Sequence, residues 1–238
     1  MEISEAIQKC TILNNASETI KESVQKNGQI LLQEKGVPIF RERERVDTLY
    51  FIVEGYVVLY RHNHRGDRKN IFIYTDGALL NEVIVEKPIA SISAEPLCDT
   101  LILKIPRKYF MDYMEDAAFS REVVYSSTKK IRKMYHQLAN TSNSFRLEKQ
   151  IIAKVWKLAR DYGIETPSGI QIPFKVTITF LADMLGAKRE SVSRVMGHLK
   201  KSNLIEYQEK LILVPDIDKL LKKIHEKEAA QAAEAEKA

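Results

Sequence analysis

Cysteine is nearly missing from this chain of 238 residues, with Cys10 and Cys98 the only two. Two thiols cannot by themselves build a disulfide framework, a four-thiolate iron-sulfur site or a zinc finger, and both read as ordinary buried thiols. Long apolar runs are missing too. No stretch approaches the ~20 residues that a membrane helix needs, and the opening MEISEAIQKC is acidic and polar where a secretory signal would be basic and then apolar. The expectation is a cytoplasmic protein with no membrane partner. No Ser-His-Asp arrangement, phosphate-cradling loop, metal-ligand spacing or carboxylate pair stands out, so neither an enzyme nor a metal site is predicted.

What the chain does have is enough apolar material, 45% of its residues, for two domains with separate cores. The formal charge of +5 is unevenly spread. Residues 141–224 carry 15 Lys/Arg against 9 Asp/Glu, whereas residues 1–140 carry 20 against 19. A basic surplus confined to the second part points that part toward a polyanion.

From Gln29 to Ile105 the apolar residues come in short runs broken by turn residues, as in LYFIVEG, YVVLY, IFIYTDG and LILKIP. Strands repeating about every ten residues predict an antiparallel sandwich or roll. Gly55, Gly66 and Gly77 recur where the chain must turn, and RHNHRGDRK reads as a hairpin tip. The first 25 or so residues have helical spacing and are expected to pack on this sheet. Between Arg107 and Ala139 turn residues vanish, and Val124, Ile131 and Leu138 fall seven apart with Met134 beside them. This stripe fits either a seam with a second copy of the chain or burial against the chain's own sheet. NTSNS (140–144) reads as a hinge, RLEKQIIAKVWKLARDYG as an amphipathic helix, and HEKEAAQAAEAEKA as a low-complexity end.

The stretch LADMLGAKRESVSRVMGHLKKSNLI carries the most chemistry. Thr177 is placed to cap a helix with Leu181, Met184 and Leu185 inward, and small Ala182 lets a second helix approach. Gly186 can adopt the left-handed conformation that ends it, and after Ala187 and Lys188 the residues Val192, Val195, Met196 and Leu199 restart helical spacing. This is the grammar of a helix-turn-helix. Arg189, Glu190, Ser193 and Arg194 then face away from the core. An arginine fork matches guanine O6 and N7, glutamate accepts from cytosine N4, and serine suits either partner. Thr177, Thr179, Lys188, His198, Lys200 and Lys201 are placed for the phosphate backbone. The bland reading is a solvated face with a Glu190–Arg194 ion pair.

The pattern T-x-x-x-LADMLG-x-x-RESVSRV followed by a strand pair resembles the winged helix of the CRP/FNR superfamily of bacterial transcription regulators, and DTLYFIVEGYVVLY with GDRKNIFIYTDGALLNEV resembles its cyclic-nucleotide-binding-type β-roll. The resemblance implies an α+β chain: a sensing roll with an N-terminal helix (1–106), a long dimerisation helix (107–140), a winged helix-turn-helix domain (141–224) and a tail (225–238). It further implies a homodimer on double-stranded DNA, with Arg189, Glu190 and Arg194 matching the base-contacting residues of the cyclic-AMP receptor branch, and Glu190, Ser193 and Arg194 those of the FNR branch. Palindromic sites with TGTGA-like or TTGAT-like halves follow, and RNA polymerase is a further partner that the family allows. Against nucleotide-binding relatives, Glu82 and Ser91 match, Asn81 replaces a glycine and Ala90 replaces the arginine that pairs the cyclic phosphate. A phosphate buried there would be unpaired, which disfavours cyclic AMP. Haem is disfavoured because His62 and His64 sit on the hairpin tip, and an iron-sulfur cluster because only Cys10 is near the amino terminus. Tyr135 and His136 fall where the long helix meets the nucleotide base in relatives, so Glu82, Ser91, Tyr135 and His136 are the candidate effector pocket. No cofactor is predicted and the effector is unassigned. A second class of function, a ligand-binding module that docks on another protein, remains open.

Overall fold

A computed structural model of the chain describes residues 1–141 and 147–224. The chain falls into two compact units, residues 1–143 and 144–238, each considered separately below.

The first unit opens with three short helices, α1 (Ile3–Lys9), α2 (Thr11–Asn14) and α3 (Glu18–Asn27), as the early spacing predicts. Their inward residues Ile7, Ile12, Leu13, Ile20 and Val24 are buried on the strands that follow. Strands β1 (Gln29–Gln33), β2 (Thr48–Glu54), β3 (Val57–His62), β4 (Arg68–Tyr74), β5 (Ser93–Pro96) and β6 (Thr100–Pro106) form two antiparallel sheets. Their orders are β1-β6-β2 and β4-β3-β5. Paired registers bring Phe51 opposite Leu103 and Leu49 opposite Ile105, and all four side chains are fully buried in one apolar core. At ~1.5–3 kcal/mol for each large side chain removed from water, this core dominates the stability of the unit. The three spaced glycines sit at turns with positive φ, 122° at Gly55, 84° at Gly66 and 79° at Gly77. The apolar run VPIF (residues 37–40), another expected strand, does not form one; its Phe40 makes a bridge to Ala94.

The long helix departs from the expectation. It does not run unbroken from Arg107: a 3-10 turn (Arg107–Tyr109) and α4 (Phe110–Met114) precede α5 (Ala117–Thr141). The break has a local cause. Asp116 Oδ1 accepts from the Phe119 backbone N–H at 2.7 Å, so a side-chain cap starts a new helix. Phe119 then stacks edge-on against Phe110 and Tyr113 in the core. At its other end α5 runs through Asn140 and Thr141, where a hinge is expected from sequence; residues 142–144 of that hinge, like the tail 225–238, lie outside the described residues.

In the second unit α6 (Leu147–Tyr162) is followed by β7 (Ile164–Thr166), β8 (Gly169–Gln171), α7 (Ile178–Leu185), α8 (Arg189–Lys201), β9 (Glu206–Gln208) and β10 (Leu211–Val214). The strands form one antiparallel sheet in the order β7-β8-β10-β9, and residues 217–224 are helical. Ile151, Ile152, Val155, Val192, Leu199, Ile212, Val214 and Leu220 are completely buried. This is a helix-turn-helix followed by a β-ribbon wing, within an α+β chain whose first part is an antiparallel roll.

Amide donors, chiefly that of Phe119, hold the Asp116 carboxyl below the usual carboxylate range. Asp116→Ala is expected to cost about 1 kcal/mol at neutral pH, read by urea unfolding. Because the folded-state pKa is depressed, the cap contributes above the ordinary carboxylate pKa and its contribution is lost as pH falls through the lower folded value. The wild-type and variant stabilities therefore converge in strong acid.

Candidate nucleic-acid interface

The helix-turn-helix is set by three local devices. Thr177 Oγ1 accepts from the Phe180 N–H at 2.9 Å and caps α7. Gly186, at φ 67° and ψ 35°, is in the left-handed region and ends α7, with its N–H donating to the Ala182 carbonyl. Lys188 then starts α8 in extended conformation. Leu181, Ala182 and Met184 point inward as the spacing predicts, but Phe180 is buried in addition while Leu185 is only half-buried. Phe180 packs against Phe174 with ring centroids 6.5 Å apart, so the apolar Phe180 is a core residue.

Val192, Met196 and Leu199 seat the inner face of α8. On its outer face Arg189, Glu190, Ser193 and Arg194 are all exposed. With Gly197, His198 and Lys201 they line one open surface depression. Among the described residues no ion pair joins Glu190 to Arg194, and all four side chains are open to solvent. Two arginines, a carboxylate and a hydroxyl are thus presented together, with donor and acceptor capacity unused among the described residues.

The residues expected near phosphate are placed less uniformly. Thr179, Lys188, Lys200 and Lys201 are exposed, and Thr177 is half-buried with its oxygen engaged as the cap. His198 Nδ1 lies 3.3 Å from Glu148 Oε1 on α6, and Lys200 Nζ lies 3.5 Å from the Tyr207 carbonyl of β9. The Glu148 contact was not foreseen, since nothing in the spacing of α6 marks one glutamate over another.

In the first unit the four candidate pocket residues lie in different settings. Glu82, at the start of a 3-10 helix (Glu82–Val85), bonds to Lys130 of α5; Ser91, Tyr135 and His136 are exposed. Asn81 has φ −136°, so no left-handed conformation is needed where relatives have glycine. Its amide instead braces β2, accepting from the Tyr50 N–H at 3.0 Å and donating to the Thr48 carbonyl at 2.8 Å. Ala90 is 3% exposed and offers an anion only a methyl group. Sequence reasoning missed Lys130, although its helical spacing from Phe119 and Val123 puts all three on one face. Val124, Ile131, Met134 and Leu138 are exposed by 55, 46, 49 and 64% respectively, on another face of α5.

Comparison with known proteins agrees with this architecture. Residues 149–223 match the family model of the Crp-like helix-turn-helix domain, and residues 33–117 that of the cyclic nucleotide-binding domain. The global nitrogen regulator of Synechococcus elongatus is 25% identical over 199 residues, covering 79% of this chain and 88% of that protein. The anaerobic regulatory protein of Bacillus subtilis is 26% identical over 185 residues, covering 76% and 77%. FixK2 from Bradyrhizobium japonicum has a similar fold, with a TM-score of 0.71 at 16% identity over 82% of this chain and 96% of that one. A CooA mutant from Carboxydothermus hydrogenoformans gives 0.70 at 19% identity, over 90% and 94%.

Fold and site together define a DNA-binding transcription regulator of the helix-turn-helix class, not an enzyme. Both matched domains, in this order, make the chain a member of the CRP/FNR family. No helix among the described residues is long and apolar enough to cross a membrane.

The left-handed Gly186 makes a local prediction. Gly186→Ala should lower the stability of the winged unit by about 1 kcal/mol, because a β-carbon is strained at this φ. Thermal unfolding checks this, with the exposed Lys188→Ala as the control that shows no comparable loss.

Proposed function

We propose that this regulator acts in the cytoplasm as a homodimer on palindromic promoter DNA, placing the start of α8 from each copy in successive major grooves. One observation carries the reading: Arg189, Glu190, Ser193 and Arg194 are exposed together on a helix whose opposite face is anchored by Val192, Met196 and Leu199. In this reading the arginines take guanine, Glu190 takes cytosine, and Ser193 adjusts to either partner. Thr177, Thr179, Lys188, His198, Lys200 and Lys201 meet the phosphates and set position without specifying sequence. His198 does so while oriented by Glu148.

The exposed apolar stripe of α5 supports the dimer. Val124, Ile131 and Leu138 repeat at seven residues with Met134 alongside, and all are exposed in a single chain. Leaving such a stripe in water is unfavourable, and a second copy of the same helix covers it with matching spacing. Residues 1–106 would then sense, 107–140 join the copies and 141–224 read DNA. A small-molecule effector at the roll shifts the population of DNA-competent dimers, and contact with RNA polymerase would convert binding into activation.

Three experiments test this. Arg189→Ala and Arg194→Ala should each weaken binding to the preferred duplex by ~1–3 kcal/mol and relax choice at one base pair per half-site, measured by gel shift across a duplex library. Wild-type affinity should also fall steeply with added salt; a flat salt response would favour docking on another protein instead. Ile131→Asp should halve the mass in sedimentation and abolish binding to the palindrome. An unchanged mass would remove α5 as the seam.

A further inference from the structure

Lys130 and Glu82 form the most informative charged contact in the first unit. Lys130 belongs to α5, outside the segment that matches the nucleotide-binding domain, while Glu82 lies within it. Their side chains are only 15% and 11% exposed. The Lys130 ammonium donates to Glu82 Oε2 and, at 2.6 Å, to the Leu79 carbonyl, and it sits 4.8 Å from the centre of the Tyr74 ring. A carboxylate, a carbonyl and an aromatic face all favour a cation. Lys133, one turn on, faces the same ring at 5.6 Å. The segment that carries Glu82 is itself held at both ends. Asn81 braces it to β2, and Arg107 Nε donates to the Ile84 carbonyl at 2.7 Å. Burial pushes the Lys130 pKa down while the neighbouring carboxylate opposes that shift.

We propose that the Glu82–Lys130 pair is an internal latch, which fastens α5 to the 3-10 segment of the roll without any small molecule. The proposal rests on the reading of this chain as a DNA-binding dimer whose roll controls α5. Its physical basis is the cost of separating a buried pair. Removing either partner leaves the other as an uncompensated buried charge, which is more costly than exchanging both for apolar groups. A ligand opens the latch only by giving Glu82 a donor and Lys130 an anion together, and it must also replace the Leu79 carbonyl. The unliganded roll is therefore already closed on its helix, and the free dimer binds DNA.

The test uses the full-length protein, free of nucleotide, with two readouts: amide hydrogen exchange along residues 127–134 and affinity for the preferred duplex. Lys130→Met should speed exchange by at least about tenfold and weaken DNA binding to a similar degree, a modest part of the penalty for a broken buried pair. The exposed neighbour Lys129→Met should leave both unchanged. Glu82→Gln, which keeps the shape, should act like Lys130→Met and serves in its place should Lys130→Met not fold. The double variant Glu82→Leu/Lys130→Met should recover most of the lost protection, since no charge is left buried. Wild-type exchange and affinity should not respond to millimolar cyclic AMP or cyclic GMP. Native-like exchange in both single variants would overturn the latch. A rise in DNA affinity with either nucleotide would overturn it as well, making the pair a ligand site. A wild-type protein that binds no duplex defeats the proposed function and with it the DNA competence of the free dimer, while the exchange measurements still judge the latch itself.

Discussion

The apolar seating of α8 is the constraint on which the rest of the second unit depends. Val192, Met196 and Leu199 lose essentially all contact with water, and that burial fixes the rotation of the helix about its axis. Once the rotation is set, the residues at its start have no choice of direction. Arg189, Glu190, Ser193 and Arg194 must face solvent. A polar helix without that anchor would roll to pair its own charges, and its side chains would lose the common orientation that reading a groove requires. The left-handed Gly186 and the Thr177 cap matter for the same reason, since they fix where α8 begins relative to α7.

A similar division of labour runs along α5. At ~100° per residue, Phe119, Val123 and Lys130 share one face, and Val124, Ile131 and Leu138 share another, roughly a third of a turn away. The first face is committed to the roll by aromatic packing and by the Lys130 contacts to Glu82 and Leu79. The second is apolar and uncovered in a single chain. In the proposed dimer, a helix tied to the roll on one side and covered by the second copy on the other carries a change in the roll to that copy. Such coupling needs no long-distance wire, only a rigid element whose position both faces bias.

Legibility followed the range of the interactions. The roll strands were readable because each is a short apolar run closed by turn residues, as at Leu49 to Val53 before Gly55. The helix-turn-helix was readable because a cap, a left-handed glycine and two apolar stripes lie within 23 consecutive residues. The Asp116 break was missed because a run of helix formers hides a cap that acts only when the next turn is buried against Phe110 and Tyr113. Phe180 was not among the expected inward residues because its partner, Phe174, belongs to the loop before α7.

Local chemistry alone therefore determined the two-part design, the basic surplus of the second part, the start and stop of α7, the start of α8, and the outward direction of Arg189, Glu190, Ser193 and Arg194. Periodicity and turn chemistry are written in neighbouring residues, so they need no fold to be read. Tertiary structure alone decided that Glu82 meets Lys130, 48 positions away, and that Glu148 meets His198 across two helices. It also decided which face of α5 is spent on the roll. A charged side chain carries no mark of its partner, and only the packed core sets which distant groups share a space too dry to leave either of them alone.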